Sequence, residues 1–477
     1  MRITIPTYVQ EVLDALITAG FEAYVVGGAV RDALLGRKPD DYDVVTNARP
    51  DEIKLLVQHT NLTIAGAVGE AFGVILLSVG RRTVEVASYR NETYGDDSHR
   101  PAEVWYCDRL DEDLGRRDFT INSMALSADG TLIDMYGGLD DLHNKCLRTV
   151  GNAEKRFEED ALRMFRACRF IAQLSFKPDP KIKKAIIRNL DRVQGLSVER
   201  VRVELDKMLC GAYAAQGLAL MVETELNKET CRQRINGQKV AIPILPELSQ
   251  LVGVEQNPLY HKYPVWEHTL VAVSKGDRSL EVEWALLLHD VAKGTEGIRG
   301  YNADGTPNDH GHEVKSALMA EVILGRLGYP KAVINRVVWL VRNHMRFGAN
   351  MAREDSTTWK WLRKTAREGP FRITKEMAEG FKQLVAVCIA DLAACNVHEQ
   401  ELISAQSYGK KLIVMAYEMP IHTSDLNVSG ADVAKIIADK ASLGDYMQIM
   451  LQRVQDGTLE NKEGALLTAA NAWEERR

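Results

Sequence analysis

A glycine pair set between a short apolar strand and a helix, with two aspartates soon after it, constrains this chain more than any other feature. Tyr24–Val26 reads as a buried strand, Ala29–Leu35 as a helix opened by Gly27-Gly28, and Tyr42–Val45 as a second strand. Glycines at such a junction let backbone N–H groups approach a phosphate, and the helix N-terminus favours its charge. Arg31, one turn on, can reach the same phosphate. No Gly-Lys-Ser/Thr follows, so this is not a P-loop. Asp41 and Asp43 lie two apart, and residues two apart in a strand point to one side. Side-by-side carboxylates repel unless a cation sits between them, and Mg²⁺ prefers a few carboxylates plus phosphate oxygens. Mg²⁺ there would activate an incoming hydroxyl and neutralise a leaving pyrophosphate. Glu85, in the strand Thr83–Ser88, is a candidate third carboxylate. Arg116-Arg117 precedes an apolar stretch, and beside a triphosphate one of the two becomes a phosphate clamp. On these residues alone a solvated turn with surface acids stays open.

The rest of the first 140 or so residues fits a mixed α/β domain. Residues 1–20 read as an amphipathic helix ending at Gly20, and Asp51–Gln58 as a helix behind Pro50. Val74–Val79 and Thr83–Ser88 read as a hairpin turning at Gly80-Arg81-Arg82. After Thr149 helical periodicity takes over. Glu158–Leu174 and Val198–Leu209 are expected as helices, followed by a Pro/Asn/Gly-rich loop over Ala241–Pro264 and a polar loop over Gly297–His312. At 477 residues the chain is too long for one core. Its net charge of −6 does not advertise nucleic-acid binding, so any basic surface must be local. Between Lys145 and Lys207 sixteen Lys/Arg face nine Asp/Glu. Seven scattered cysteines without CxxC point to reduced thiols in the cytoplasm. The N-terminus lacks a signal pattern, and no apolar run approaches the roughly 20 residues of a membrane span.

Asp160 and Arg163 are three apart on the expected helix Glu158–Leu174 and would share a face, with Arg166 and Arg169 continuing the row. A salt-bridged helix surface explains that spacing. So does base recognition: Asp accepts from an amino group and Arg donates to a ring nitrogen or carbonyl, so a rigid pair can read the Watson–Crick edge of C or A.

A second constellation lies far downstream. His289-Asp290 follows the apolar run Trp284–Leu288, with His268 before it and His312, His344 and Asp391 after it. A lone buried histidine is usually a core residue. This set suits a divalent metal, with Mn²⁺, Ni²⁺, Fe²⁺, Zn²⁺ and Mg²⁺ all compatible, and the metal could generate hydroxide for phosphoester hydrolysis.

GGAVRD, the DYD pair and RRDFTIN, in that order, resemble the class II tRNA nucleotidyltransferases and bacterial poly(A) polymerases of the polymerase-β superfamily, through about residue 210. The resemblance implies Asp41 and Asp43 as catalytic metal ligands and Gly28, Arg31 and Arg117 as nucleotide contacts. EDALRMFRACRF is similar to that family's EDxxR element, which selects CTP and ATP without a template. This implies base selection by Asp160 and Arg163, with Arg166 and Arg169 near the phosphates or base. Arg90–Val104 resembles the complete flexible loop of full CCA-adding members, which disfavours CC-only addition. His268, His289-Asp290, His310-Gly311-His312-Glu313, His344 and Asp391 resemble the HD phosphohydrolase superfamily over roughly 260–400.

The expected architecture is a mixed α/β nucleotidyltransferase head (1–148) followed by an elongated all-helical region. That region comprises a neck for nucleotide selection and RNA binding (149–215), a body and linker (216–260), an HD-type metal domain (261–400) and a C-terminal helical tail (401–477). The resemblance implies Mg²⁺-dependent addition of CCA to tRNA from CTP and ATP, and leaves the oligomeric state open. A poly(A) polymerase or A-adding enzyme, an HD phosphohydrolase with a degenerate head, and a non-catalytic RNA-binding protein are the alternatives.

Overall fold

The computed structural model describes residues 3–66, 73–94 and 101–476, without the side chains of 92–94 and 101–103. The chain forms two compact units, Met1–Pro246 and Glu247–Arg477.

The first unit begins with α1 (Thr7–Thr18), which buries Val9, Val12, Leu13 and Leu16, a stripe at helical spacing. Then come β1 (Ala23–Val26), α2 (Gly28–Leu34), β2 (Asp43–Thr46), α3 (Pro50–Val57), β3 (Thr63–Gly66), β4 (Val74–Val79) and β5 (Arg82–Ser88). β6 (Arg90–Tyr94) and β7 (Pro101–Tyr106) form a separate antiparallel hairpin. The resemblance to the flexible loop falls on this hairpin, and its residues 95–100 lie outside the described residues. α4 (Leu110–Gly115), β8 (Met124–Leu126), β9 (Leu132–Asp134) and α5 (Gly138–His143) complete the head. Seven strands make one sheet in the order β3-β4-β5-β2-β1-β8-β9. Within it β2 and β5 run parallel, which places Asp43 directly opposite Glu85. Val25, Val26, Val44 and Val45 are buried, so the β1–β2 pair lies within the core.

The neck starts at β10 (Cys146–Leu147) and α6 (Ala153–Glu159). It continues through α7 (Leu162–Leu174), β11 (Lys177–Pro178), α8 (Pro180–Arg188), α9 (Val198–Leu209) and α10 (Ala214–Glu223). The expected single helix Glu158–Leu174 is two helices. Asp160 between them is extended, at φ −141° and ψ 104°, and its carboxylate Oδ1 accepts the N–H of Leu162 at 2.9 Å. An aspartate competes with the helical backbone for its N–H groups, and here it starts a new helix.

The body is not wholly helical. β12 (Thr230–Ile235) and β13 (Gln238–Pro243) form an antiparallel hairpin. Asn236 and Gly237 turn it with φ of 50° and 81°. Asn-Gly is a strong short-range hairpin signal because both residues tolerate positive φ.

The second unit holds α11 (Val265–Ser274), α12 (Leu280–Leu288), the small hairpin β14 (Gly300–Tyr301) and β15 (Pro307–Asn308), and α13 (His312–Arg326). α14 (Lys331–Met351), α15 (Asp355–Glu368), α16 (Thr374–Ala394) and α17 (Glu399–Glu418) follow. α12 buries every residue from Val282 to Leu288, all apolar but Glu283, which pairs with Arg278, as suits a central helix. α11, α13, α14 and α16 pack against it. α18 (Gly430–Val433), α19 (Leu443–Gln455) and α20 (Glu463–Glu474) share a cluster that includes Val433, Tyr446, Met450 and Leu466. No helix among the described residues is long and apolar enough to cross a membrane.

Candidate active site and metal centre

In the head, Gly27 ends β1 at φ 73°, a conformation that favours glycine. A Cβ there would stand 3.4 Å from Arg117 Nη1 and 3.7 Å from Asp43 Oδ2. The bare backbone therefore lets a carboxylate and a guanidinium meet at the entry to α2. Burial and the neighbouring Glu85 push the Asp43 carboxyl up to about 6; Arg117 opposes the rise and Asp41 adds to it. Asp41 lies exposed in the loop before β2. The negative charges of Glu85 and Asp41 thus both act against that of Asp43, an arrangement a divalent cation would relieve. Arg117 Nη2 donates to Asp113 at 3.0 Å, while its buried Nε has no hydrogen-bond partner. Arg116 is turned away onto the same Asp113 at 2.6 Å. Of the two arginines, Arg117 is thus the one at the glycine turn.

Arg31 fits the expectation in part. A Cβ on Gly28 would lie 3.5 Å from its Nη2, but its Nε and Nη2 donate to Asp32 at 2.9 Å each and its Nη1 to Asn122 at 2.7 Å. Asn122 in turn donates to Asp118 at 3.2 Å, and Asp118 accepts from Arg166 Nε at 2.7 Å. Burial opposes the charge of Asp118, yet Arg166 and Asn122 hold its carboxyl down at about 2. Arg169 pairs with Glu204 at 3.0 Å and lies 4.3 Å from the Phe170 ring, which Arg31 and Arg166 also flank. Burial and Arg166 push Arg169 down to about 10. Asp118, Asn122 and Phe170 lie in the quoted motifs RRDFTIN and EDALRMFRACRF without an assigned role, and Glu204 was not singled out. Asp118 was visible as the acid following the arginine pair.

Asp160 and Arg163 do not share a helix face, because the chain breaks between α6 and α7. The charge of Asp160 is nevertheless felt by Arg166. Arg163 is buried and aimed by three bonds: Nη1 to Glu159 at 2.9 Å and to the Arg156 carbonyl at 3.1 Å, and Nη2 to the Arg116 carbonyl at 2.9 Å.

In the second unit all six expected donors converge. His268 on α11, His289 closing α12 and Asp391 on α16 form one group; Asp290, His312 opening α13 and His344 on α14 form another. Within each, the ligand atoms lie within 4.8 Å of one another. His268 Nε2 is 3.0 Å from Asp391 Oδ1, and His312 Nε2 is 3.1 Å from Asp290 Oδ1. His289, His312 and His344 each give Nδ1–H to a backbone carbonyl, of Leu286, Asp309 and Val341, at 2.6–2.8 Å. That fixes the tautomer and turns every Nε2 lone pair inward, as metal-binding histidines require. The Nε2 atoms of His289 and His268 lie 3.4 Å apart and those of His312 and His344 3.3 Å apart. Burial opposes a charge on His289, but Asp290 and Asp391 outweigh it and lift it to about 10. The centre thus calls for positive charge, which a divalent cation supplies. Lys293 was missed: its Nζ lies 2.8 Å from Asp290 and 2.8 Å from Gln256 Oε1. Its position three residues after Asp290 was the available signal.

Residues 23–148 match the family described as Poly A polymerase head domain. Residues 175–230 match "Probable RNA and SrmB- binding site of polymerase A", and 264–391 match the HD domain. Over 218 residues the chain is 44% identical to the CCA-adding enzyme of Bacillus subtilis, and over 237 residues 41% identical to that of Lactobacillus helveticus. Along its length the chain thus resembles a poly(A) polymerase head, that family's RNA-binding segment and an HD domain, in that order. These matches take in 46% and 50% of the chain and 54% and 58% of the relatives, so the chain spans about half the length of the curated proteins it matches. The CCA-adding enzyme of Bacillus stearothermophilus in complex with CTP superposes over 99% of both chains, with a TM-score of 0.65 and 26% identity. The Thermotoga maritima CCA-adding enzyme with tRNA shares the fold at 16% identity and a TM-score of 0.55.

Proposed function

We propose that the chain adds CCA to tRNA 3′ ends from CTP and ATP. The observation that carries this reading is the meeting of Asp43 and Arg117 at the Gly27 turn, with Glu85 opposite Asp43 on the neighbouring strand and Asp43 pushed up to about 6 by burial and Glu85. Asp41 and Asp43, with Glu85 beside them, would hold Mg²⁺, which supplies activation of the 3′-hydroxyl and neutralises the pyrophosphate as it leaves. Arg117 and the backbone of Gly27-Gly28 would receive the triphosphate. Asp160 and Arg163 would read the base, and Glu159 and two carbonyls would hold Arg163 still. The Asp118–Arg166 pair would keep α7 fixed to the head while nucleotides change. The basic stretch Lys145–Lys207 would grip tRNA through its phosphates and shape. Seven free thiols fit a reducing cytoplasm. The test is a product ladder on tRNA lacking CCA, with CTP and ATP singly and together. Ordered C, C, A addition is expected. A long tail from ATP alone would install the poly(A) reading instead, and no extension would remove both.

A second activity is assigned to the other unit: metal-dependent hydrolysis of a phosphoester. The fixed tautomers of His289, His312 and His344 around Asp290 and Asp391 favour it.

A further inference from the structure

Beside the HD centre lies a thiol that neither activity uses. Cys395 caps α16 one turn beyond Asp391, so both side chains leave the same face of that helix end. A backbone bridge pairs Cys395 with His261, and the N–H of Asn396 donates to the Tyr260 carbonyl at 2.8 Å. The loop before α11 is thereby pinned so that His261 faces the thiol. Cys395 Sγ lies 3.7 Å from His261 Nδ1 and 3.9 Å from Asp391 Oδ1. One ligand atom each from His261, His268 and Cys395 falls within 4.8 Å of the others. The His261 and His268 rings stand edge to face, 5.0 Å apart.

His268 differs from its neighbours in the centre. His289, His312 and His344 each satisfy Nδ1 with a carbonyl, whereas the wholly buried His268 Nδ1 has no hydrogen-bond partner. A buried ring nitrogen without a partner is costly in a protein that needs it for nothing. His268 is also the histidine common to the HD group and the Cys395 group.

We propose that His261, His268 and Cys395, with Asp391 shared, form a second cation position adjoining the HD centre that takes a thiophilic divalent ion such as Zn²⁺ or Co²⁺. Tetrahedral Zn²⁺ with ordinary Zn–S and Zn–N bonds holds sulfur and nitrogen about 3.6 Å apart. The Sγ–Nδ1 separation of 3.7 Å already matches that edge. Thiolate and imidazole select Zn²⁺, Co²⁺ or Ni²⁺ over Mg²⁺, in contrast to the oxygen donors in the head. The competing explanation is a weak thiol–imidazole hydrogen bond with no ion.

The experiment uses the full-length protein, stripped of metal and reloaded with Co²⁺. The readouts are bound cobalt per chain and the near-ultraviolet sulfur-to-cobalt charge-transfer band. The wild type should show the band. Cys395→Ser should lose it and bind less cobalt, while Cys388→Ser keeps it, since the Cys388 thiol points to the His344 carbonyl at 3.3 Å. His261→Gln, whose cysteine is intact, should need roughly 10–100-fold more Co²⁺ to develop the band. Asp290→Ala removes a donor of the HD centre alone and should leave the band in place. A cobalt-loaded wild type without the band, or a band that survives Cys395→Ser, overturns the proposal. Loss of the band in Asp290→Ala would fold Cys395 into a single centre and overturn the separate position. Hydrolytic activity enters none of these outcomes, so they stand apart from the reading of the HD centre as an enzyme.

Discussion

Glu159 closes α6 and Arg163 lies in the first turn of α7, and a 2.9 Å ion pair joins them across the break between the two helices. Glu159 also holds Arg156 at 2.6 Å, so one carboxylate sets two arginines at the point where Asp160 leaves the helix. In the proposed enzyme Glu159 is a positioning residue that acts through Arg163. Glu159→Ala should let Arg163 swing and relax base choice, admitting UTP or GTP. Efficiency with CTP and ATP should fall by about 1–3 kcal/mol, the value of a buried hydrogen bond to base. Asp160→Ala and Arg163→Ala should do the same. Competition assays with all four nucleotides measure this, and unchanged selectivity in all three variants would reduce the cluster to a structural clasp.

The carboxylates of the head are tested more simply. Asp41→Asn or Asp43→Asn should lower nucleotide addition by roughly a thousandfold or more, because transition-state stabilisation by a metal is worth several kcal/mol. Folding and tRNA affinity should be nearly unchanged. Asp43→Asn also removes a charge that burial and Glu85 disfavour, so it should not destabilise the head. Near-normal incorporation by both variants would rule the metal role out.

Much of this was legible beforehand, and the failures have physical causes. The glycine turn, the strand with Asp43, the hairpin of β4 and β5, and α9 declare themselves through local periodicity and turn chemistry. The convergence of His268, His289, Asp290 and Asp391 followed from residue type. Asp160 was misread because spacing alone cannot say when an aspartate will take its neighbour's N–H for itself. The β12–β13 hairpin was missed although Asn236-Gly237 announces it. Asp118 with Arg166, and Cys395 with His261, depend on contacts 48 and 134 residues apart in sequence, which no local pattern carries.

The Asp118–Arg166 pair makes stability depend on acid pH. The folded carboxyl sits at about 2 against 3.8 for the free group, so folding favours its ionised form. The resulting stabilisation, about 2 kcal/mol, is fully present above pH 4 and disappears as pH falls toward 2. Asp118→Asn should therefore be less stable than the wild type at pH 7, by an amount that shrinks below pH 4. Denaturant midpoints from pH 2 to 7 give the comparison. A gap that stays constant across that range would mean that Asp118 contributes through shape rather than charge.

The HD centre and the head carboxylates belong to different units and use different donors. His289 and Asp290 are adjacent and touch, with His289 Nε2 3.2 Å from Asp290 Oδ2, and each belongs to its own donor group, with His268 and Asp391 or with His312 and His344. Replacing both therefore opens both donor groups at once. Loss of one metal-binding side chain should cost several kcal/mol of affinity, because the remaining donors keep their orientation but not their number. The double variant His289→Ala, Asp290→Ala should lose bound transition metal and any phosphatase or cyclic phosphodiesterase activity. Addition to tRNA should continue, since Asp41, Asp43 and Arg117 are untouched. Both activities and the metal content are to be measured on a single preparation. A wild type that carries no metal and hydrolyses no phosphoester with any divalent ion would end the catalytic reading of this centre. A folded double variant that stops adding nucleotides would instead couple the two units, with tRNA held by both as the simplest physical link.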